Sequence, residues 1–188
     1  MGLLTEGINE VIATTRFNAA PMGIICRDAT MRMALFSGSH TAQNIERDRW
    51  VVANIIHDPL VYVTTAFSDL PHDAFMPVTI NRHEMHRLAS AEAWVAFDVV
   101  IEHRGAESMT IRLVPLHEET VLPAIHPVNR GFNSIVDATV HATRYMISRD
   151  PALKNLIDYH AGIVRRCGGR PGKFHVCFGD RTVACLDM

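Results

Sequence analysis

The chain has 188 residues, 48% of them hydrophobic and 20% charged, with a formal net charge of −2 at pH 7. That length supports one domain with an appendage or two small domains. No apolar run approaches the roughly 20 residues that a membrane-spanning helix needs, and the charge lacks the basic surplus that binding to a nucleic-acid backbone requires.

Met1–Glu10 holds no basic leader followed by an apolar stretch, which predicts a cytoplasmic protein. Cys26, Cys167, Cys177 and Cys185 form no CxxC pair, which speaks against a zinc ribbon or a redox dithiol and for free, buried thiols. Of 18 basic residues only Lys154 and Lys173 are lysines. Arginine's planar fork suits carboxylate and phosphate, but high genomic GC content produces the same bias, so the bias alone assigns no ligand.

The first half reads as β structure. Glu10–Arg16 is rich in β-branched residues, Phe17-Asn18 forms a turn, and Ala19–Cys26 resumes an extended run, with Pro21 placed at a sheet edge. Met31–Phe36 is a third strand and runs into Ser37-Gly38-Ser39-His40-Thr41, then into a short helix through Arg49. Leu60–Phe67 is expected as a fourth strand after the turn pair Asp58-Pro59, and Trp94–Glu102 and Met109–Val114 form a hairpin about Gly105. Six strands without βαβ alternation predict a mostly β protein with some α structure, built on an antiparallel barrel.

After Pro127 the pattern becomes helical. Ser134 is the expected N-cap of a helix carrying Ile135, Ala138, Ala142 and Tyr145 at helical spacing. Asp150-Pro151 opens a second helix, striped by Leu153, Leu156, Ile157, Ala161 and Val164, that ends at Arg165-Arg166 before Gly168-Gly169. The expected division is a barrel over residues 1–118 and a helical segment over 119–188, with helices at about 134–148 and 151–166 and a last strand at 174–178.

Chemistry concentrates in two places. Leu35–Ile45 (LFSGSHTAQNI) sets three hydroxyls and a glycine between a strand end and a helix start, where Ser37, Ser39, Thr41 and the first helical amides can hold a phosphate. The ordinary alternative is that Ser39 or Thr41 only caps the helix. Thr14-Thr15-Arg16 and Asn18–Gly23 put an arginine, hydroxyls and small residues on one hairpin, against which a planar ligand can lie flat. The plain alternative there is a hairpin with a solvated arginine.

The succession TTR, NAAPMG, FSGSHTAQNI and HDPLVYVTTAF resembles the FMN-binding split barrels related to pyridoxamine-phosphate oxidase and flavin reductases. More narrowly, with Asn129–Asn133 and His141–Tyr145, the sequence resembles the uncharacterised flavin-binding family known as domain of unknown function 447, from about Asn9 through Arg166. The resemblance implies a six-stranded FMN-binding split barrel with a C-terminal helical segment, working as a homodimer with flavin at the interface. It places the phosphate on Ser37, Gly38, Ser39, His40, Thr41 and Asn44. The ring falls on Thr14, Thr15, Asn18, Ala20, Met22 and Gly23. Arg16 is a candidate to neutralise the phosphate, because His40 stands where related barrels carry arginine or lysine, and Arg130, Asn133 and Arg144 are candidates to reach flavin or substrate.

Other signals fail. His83-Glu84-Met85-His86 is one residue short of the HExxH spacing and His117-Glu118-Glu119 offers no second histidine, so a solvated, His-rich loop is expected and no metal site. GxxxxGK, GxGxxG and GxSxG are all absent. The expected function is an FMN-dependent oxidoreductase acting on an unknown small molecule, with a link to methanopterin one-carbon metabolism implied by the resemblance. The rivals are a noncatalytic flavin carrier or sensor and a barrel that has lost its flavin.

Overall fold

The structure, a computed structural model, describes residues 2–167. In chain order it contains β1 (Gly7–Thr15), β2 (Asn18–Arg27), β3 (Thr30–Phe36), helix α1 (His40–Asp48), β4 (Trp50–Ile55), helix α2 (Pro59–Phe67), β5 (Phe75–Ile80), β6 (His83–Leu88), β7 (Ala93–Arg104), β8 (Ser108–Thr120), α3 (Arg130–Ser148) and α4 (Pro151–Cys167). Six strands close an antiparallel barrel in the order β1-β2-β3-β8-β7-β4, and β5 and β6 form a separate hairpin. A barrel unit comprises the chain up to His57 together with Asp69–Ala124, and a helical unit comprises Asp58–Ser68 and the chain from Ile125 onward. No helix among the described residues is long and apolar enough to cross a membrane. The strand expected at 174–178, with Cys177 and Cys185, lies outside the described residues. Cys26 is a buried free thiol and Cys167 a half-buried one.

Alternation along the strands builds the barrel interior. Val11, Ala13, Ile24, Met33, Leu35, Val51, Val95, Phe97 and Ile111 fill it, and Ala42 and Ile45 of α1 join the same cluster. A second apolar layer lies on the outside of the wall, where Trp50 and Val52 of β4 and Trp94 and Ala96 of β7 are covered by Met85, Val78 and Ile80 of the β5–β6 hairpin. The free edge of β6 is satisfied by two polar side chains from the wall. Asn54, fully buried, accepts the Leu88 amide at 2.7 Å and donates to the Ile12 carbonyl at 2.8 Å and the Thr14 hydroxyl at 3.0 Å. Thr14 in turn donates to the His86 carbonyl.

Several expectations are corrected. Leu60–Phe67 is helix α2 and not a strand: Asp58 accepts the Leu60 amide at 2.9 Å and Pro59 takes the first turn, so capping outweighs the β-branched composition. The sixth barrel strand is instead Trp50–Ile55, directly after α1. Residues 83–88 are no solvated loop but strand β6, with Met85, His86, Arg87 and Leu88 buried. Helix α3 begins at Arg130, capped by Asn129, whose side chain accepts the Gly131 amide at 2.8 Å. Ser134 is therefore a buried position inside the helix and Asn133 an exposed one, and neither is a cap. Within the helical unit Val63, Ile135 and Val164 pack together, and Leu156 of the expected α4 stripe is exposed.

Asn54→Ala leaves the buried Leu88 amide without an acceptor, which costs about 1–3 kcal/mol for each group left unpaired. A fall of that size in unfolding free energy is expected in denaturant titration, and a change under about 0.5 kcal/mol, typical of exposed positions, would show that Asn54 does not hold the hairpin to the wall.

Candidate functional site

The first hairpin and the start of α1 are joined by their side chains. Ser39 is extended (φ −75°, ψ 152°), and its hydroxyl accepts the Ala42 amide at 3.2 Å while donating to the Phe36 carbonyl at 2.8 Å, so it caps α1. The amides of His40 and Thr41, the first two of the helix, have no carbonyl one turn back to bond and sit at the positive end of the helix dipole. Asn18 of β2 donates to the Thr41 hydroxyl at 3.0 Å, and Asn44 donates to both the carbonyl and the hydroxyl of Thr15 at 3.2 Å.

At the hairpin turn Arg16 takes a left-handed φ of 53°, and its Nε and Nη2 donate to the two oxygens of Asp48 at 2.6 and 2.9 Å. Arg47 donates to Asp48 and, at 2.7 Å, to the Asn44 carboxamide oxygen. These groups surround a cavity of about 310 Å³ lined by Arg16, Phe17, Asn18, His40, Gln43, Asn44 and Asp69, all of the barrel unit.

The hydrogen bond from Arg16, helped by Arg47, holds the Asp48 carboxyl well below the usual carboxylate range against an opposing effect of burial. Two guanidinium groups on one carboxylate leave that cluster with one net positive charge, opposite the Asp69 carboxylate that also lines the cavity. On its far side Phe17, 45% exposed, stacks on His72 at 4.4 Å and meets His86 at 4.5 Å. Burial pushes the His86 imidazole below its ordinary value, and its buried Nδ1 has no hydrogen-bond partner among the described residues.

The sequence-derived candidates separate by position. Arg16, Asn18, His40 and Asn44 line the cavity, and Thr15 and Thr41 are buried behind it as partners of Asn44 and Asn18. Ser37 and Ser39 flank it with hydroxyls donating to the Gly105 and Phe36 carbonyls, and a Cβ at Gly38 would meet nothing within 4 Å. Thr14 is turned toward β6. Ala20, Met22 and Gly23 run on along β2 opposite Ala13, Val11 and Glu10, and a Cβ on Gly23 would meet Ile8 at 3.1 Å. Arg130, Asn133 and Arg144 belong to α3 of the helical unit, where Arg130 Nη2 approaches the Cys167 sulfur.

Gln43, Arg47 and Asp48 escape a motif reading, although His40, Gln43, Asn44, Arg47 and Asp48 recur at helical spacing opposite the buried Ala42 and Ile45, a signal that was available. Phe17, Asp69, His72 and His86 carry no such signal, because only the folding of the β5–β6 hairpin region brings them together.

Against this geometry, residues 9–121 match the N-terminal domain, and residues 129–173 the C-terminal part, of the family described as protein of unknown function DUF447. An FMN-bound protein of that family from Methanosarcina mazei shares 36% identity, with 88% of this chain and 90% of that chain covered and a TM-score of 0.83. An uncharacterised protein of Methanocaldococcus jannaschii is 36% identical over 66 residues, a third (33%) of each chain. An FMN-binding protein of Thermus thermophilus, crystallised with cyclohexenone, shares only the fold, at 9% identity and TM-score 0.51 over 63% of this chain and 72% of that one. Matched domains spanning most of the sequence, and a relative at 36% identity over nearly all of it, make this chain a member of the DUF447 family.

Proposed function

We propose that the chain is a flavoprotein that holds FMN noncovalently, with the phosphate in the cavity between the first hairpin and α1, and that it serves as an oxidoreductase for a small molecule. The observation that carries this reading is the juxtaposition of the unbonded His40 and Thr41 amides with Asn18, Gln43, Asn44 and Arg16 around one opening. The FMN-bound family member from Methanosarcina mazei supports the choice of ligand. Since the Ser37 and Ser39 hydroxyls already donate to carbonyls, the backbone amides of the first helical turn are the free donors for the phosphate, and the Asn18 carboxamide, with one N–H on Thr41, keeps a second to offer.

The residues fit such a group. Carboxamides and dipolar amides take up charge without a counter-ion of their own, and Arg16 and Arg47 outnumber Asp48 by one positive charge, which faces the Asp69 carboxylate on the cavity lining and stands in place of the lysine or arginine missing at His40. At about 310 Å³ the cavity is near the lower end of the roughly 300–1,000 Å³ of small-molecule sites, so it suits the phosphate and its chain, with the ring spread over the hairpin. Bound FMN supplies hydride or single-electron transfer through the ring nitrogen N5. The chain's own part is to bind, orient and set the charge: Asn44 fixes the helix to Thr15, and Asp48 holds both arginines in place. A homodimer completes the reading. It follows from the family resemblance, which sets the flavin at a subunit interface. A reduced pterin, from the expected one-carbon link, and NAD(P)H are the electron donors to try.

The primary test is FMN titration of purified protein, followed by anaerobic mixing with each donor. A flavin band that sharpens on binding, and reduction faster than that of free FMN, are expected. A preparation that ignores added FMN would overturn the proposal, and binding without accelerated reduction would leave a carrier. Asn18→Ala removes one N–H donor and should weaken FMN binding about 10- to 100-fold, since a hydrogen bond to a charged group contributes about 1.5–3 kcal/mol; unchanged affinity places the phosphate elsewhere.

Asp48 adds a pH prediction. Its carboxyl is held below its unfolded value by Arg16, so the pair's stabilisation is present above about pH 4 and is lost as the pH falls further. Melting curves between pH 2 and 7 should show a steeper acid loss in the wild type than in Asp48→Asn, and parallel acid limbs would mean that the pair adds nothing.

A further inference from the structure

Among the described arginines of the barrel unit, those without a counter-charge are Arg27, Arg49 and Arg82, which are exposed and solvated, and Arg87, which is buried. Arg16, Arg32, Arg47, Arg104 and Arg112 each lie against an Asp or Glu, with side chains 41% to 59% exposed. Arg87 of β6 is 8% exposed, and no carboxylate among the described residues reaches it. Its guanidinium donates to the Leu88 carbonyl at 2.9 Å and meets the thioether of Met76, a weak acceptor, which leaves most of its five N–H groups unused. A lysine so buried could shed its proton, but a guanidinium cannot. Burying such a charge unpaired opposes folding, so a structural role alone does not account for it.

The surroundings point the same way. By the two-residue period of a strand, Arg87 stands on the same side of β6 as Met85, which packs against Trp50, Val52 and Trp94 of the barrel wall. Trp94 lies across from Asn54, the residue that accepts the Leu88 amide, and its buried indole N–H also has no acceptor among the described residues. An indole only donates. Two donor-only groups in one buried layer call for an acceptor that carries negative charge. His86, whose ring reaches Phe17 beside the cavity, faces the other side of the strand, so this location is separate from the phosphate cradle of α1.

We propose that Arg87 anchors a second anion site in the layer between the β5–β6 hairpin and the barrel wall, taking a carboxylate or phosphate group of a small-molecule ligand. The planar fork of the guanidinium donates to two oxygens of either group side by side, and the Trp94 indole is the second donor. The site does not depend on the flavin reading.

Melting temperatures of the full chain in sodium acetate, inorganic phosphate and chloride at matched ionic strength test it, for the wild type, Arg87→Met and Arg87→Lys. At about ten times its dissociation constant an anion that binds only the folded chain should raise the wild-type melting temperature by roughly 3–6 °C. A rise in acetate alone assigns a carboxylate, and a rise in phosphate alone a phosphate. Arg87→Met should lose the rise in acetate and, in phosphate, keep only the part that the α1 cradle supplies, and it should melt no lower than the wild type in chloride, because it keeps the stem and sheds the charge. The same rise in Arg87→Met as in the wild type, or no rise in either anion, overturns the site. Should Arg87→Met fail to fold, Arg87→Lys carries the test: it keeps charge without the fork, and an undiminished rise there also overturns it. FMN titration of the same variants should be unchanged, so failure of this site and failure of the flavin site are read separately.

Discussion

The candidate site depends on how α1 is held to the tip of the first hairpin. Asn44 reaches back to the Thr15 carbonyl and hydroxyl, and Asn18 reaches forward to the Thr41 hydroxyl. These bonds run in opposite directions across the same gap and set the first helical turn over the hairpin. They also determine what remains unbonded. With Ser39 capping Ala42, the amides of His40 and Thr41 are the first-turn donors left without a partner, on a helix whose Ala42 and Ile45 pack into the barrel. The polar face of α1 thus belongs to the cavity because its apolar face belongs to the core.

The barrel wall carries a comparable constraint on its outside. Strand β4 is buried on both faces, by the interior on one side and by the β5–β6 hairpin on the other, and a hairpin lying edge-on over a wall needs acceptors and donors for its own backbone. Asn54 and Thr14 provide them from the wall. A buried carboxamide and hydroxyl fully satisfied in this way specify one register for β6, since a slip by one residue would leave each of them unpaired. The same register places His86 toward Phe17 and Arg87 toward the wall.

Charge is distributed with similar economy. Asp48 gathers two arginines beside the cavity into a cluster with a single net positive charge, less costly to the free protein than two unpaired cations, while the Asp69 carboxylate lines the same opening. His86, set among Phe17 and Trp50, is pushed below the ordinary imidazole value by burial and not by pairing.

The local grammar of the chain determined a good deal by itself. The β1–β2 hairpin, β3, the β7–β8 hairpin about Gly105, a cap at Ser39 and two C-terminal helices are legible because each is written in contiguous residues: alternation, a turn residue, a capping hydroxyl, a proline after an aspartate. The segment that presents Ser39, His40, Thr41 and Asn44 could be found for the same reason. The rest was settled by folding, wherever one stretch answers to two partners. β4 shows no alternation because both its faces are buried, and Leu60–Phe67 has a strand's composition but a helix's cap. β6 hides its buried Arg87 and His86 in a polar string that looks solvated. A sequence records the period of burial on one face; which second surface will cover the other is set by contacts between residues far apart in the chain.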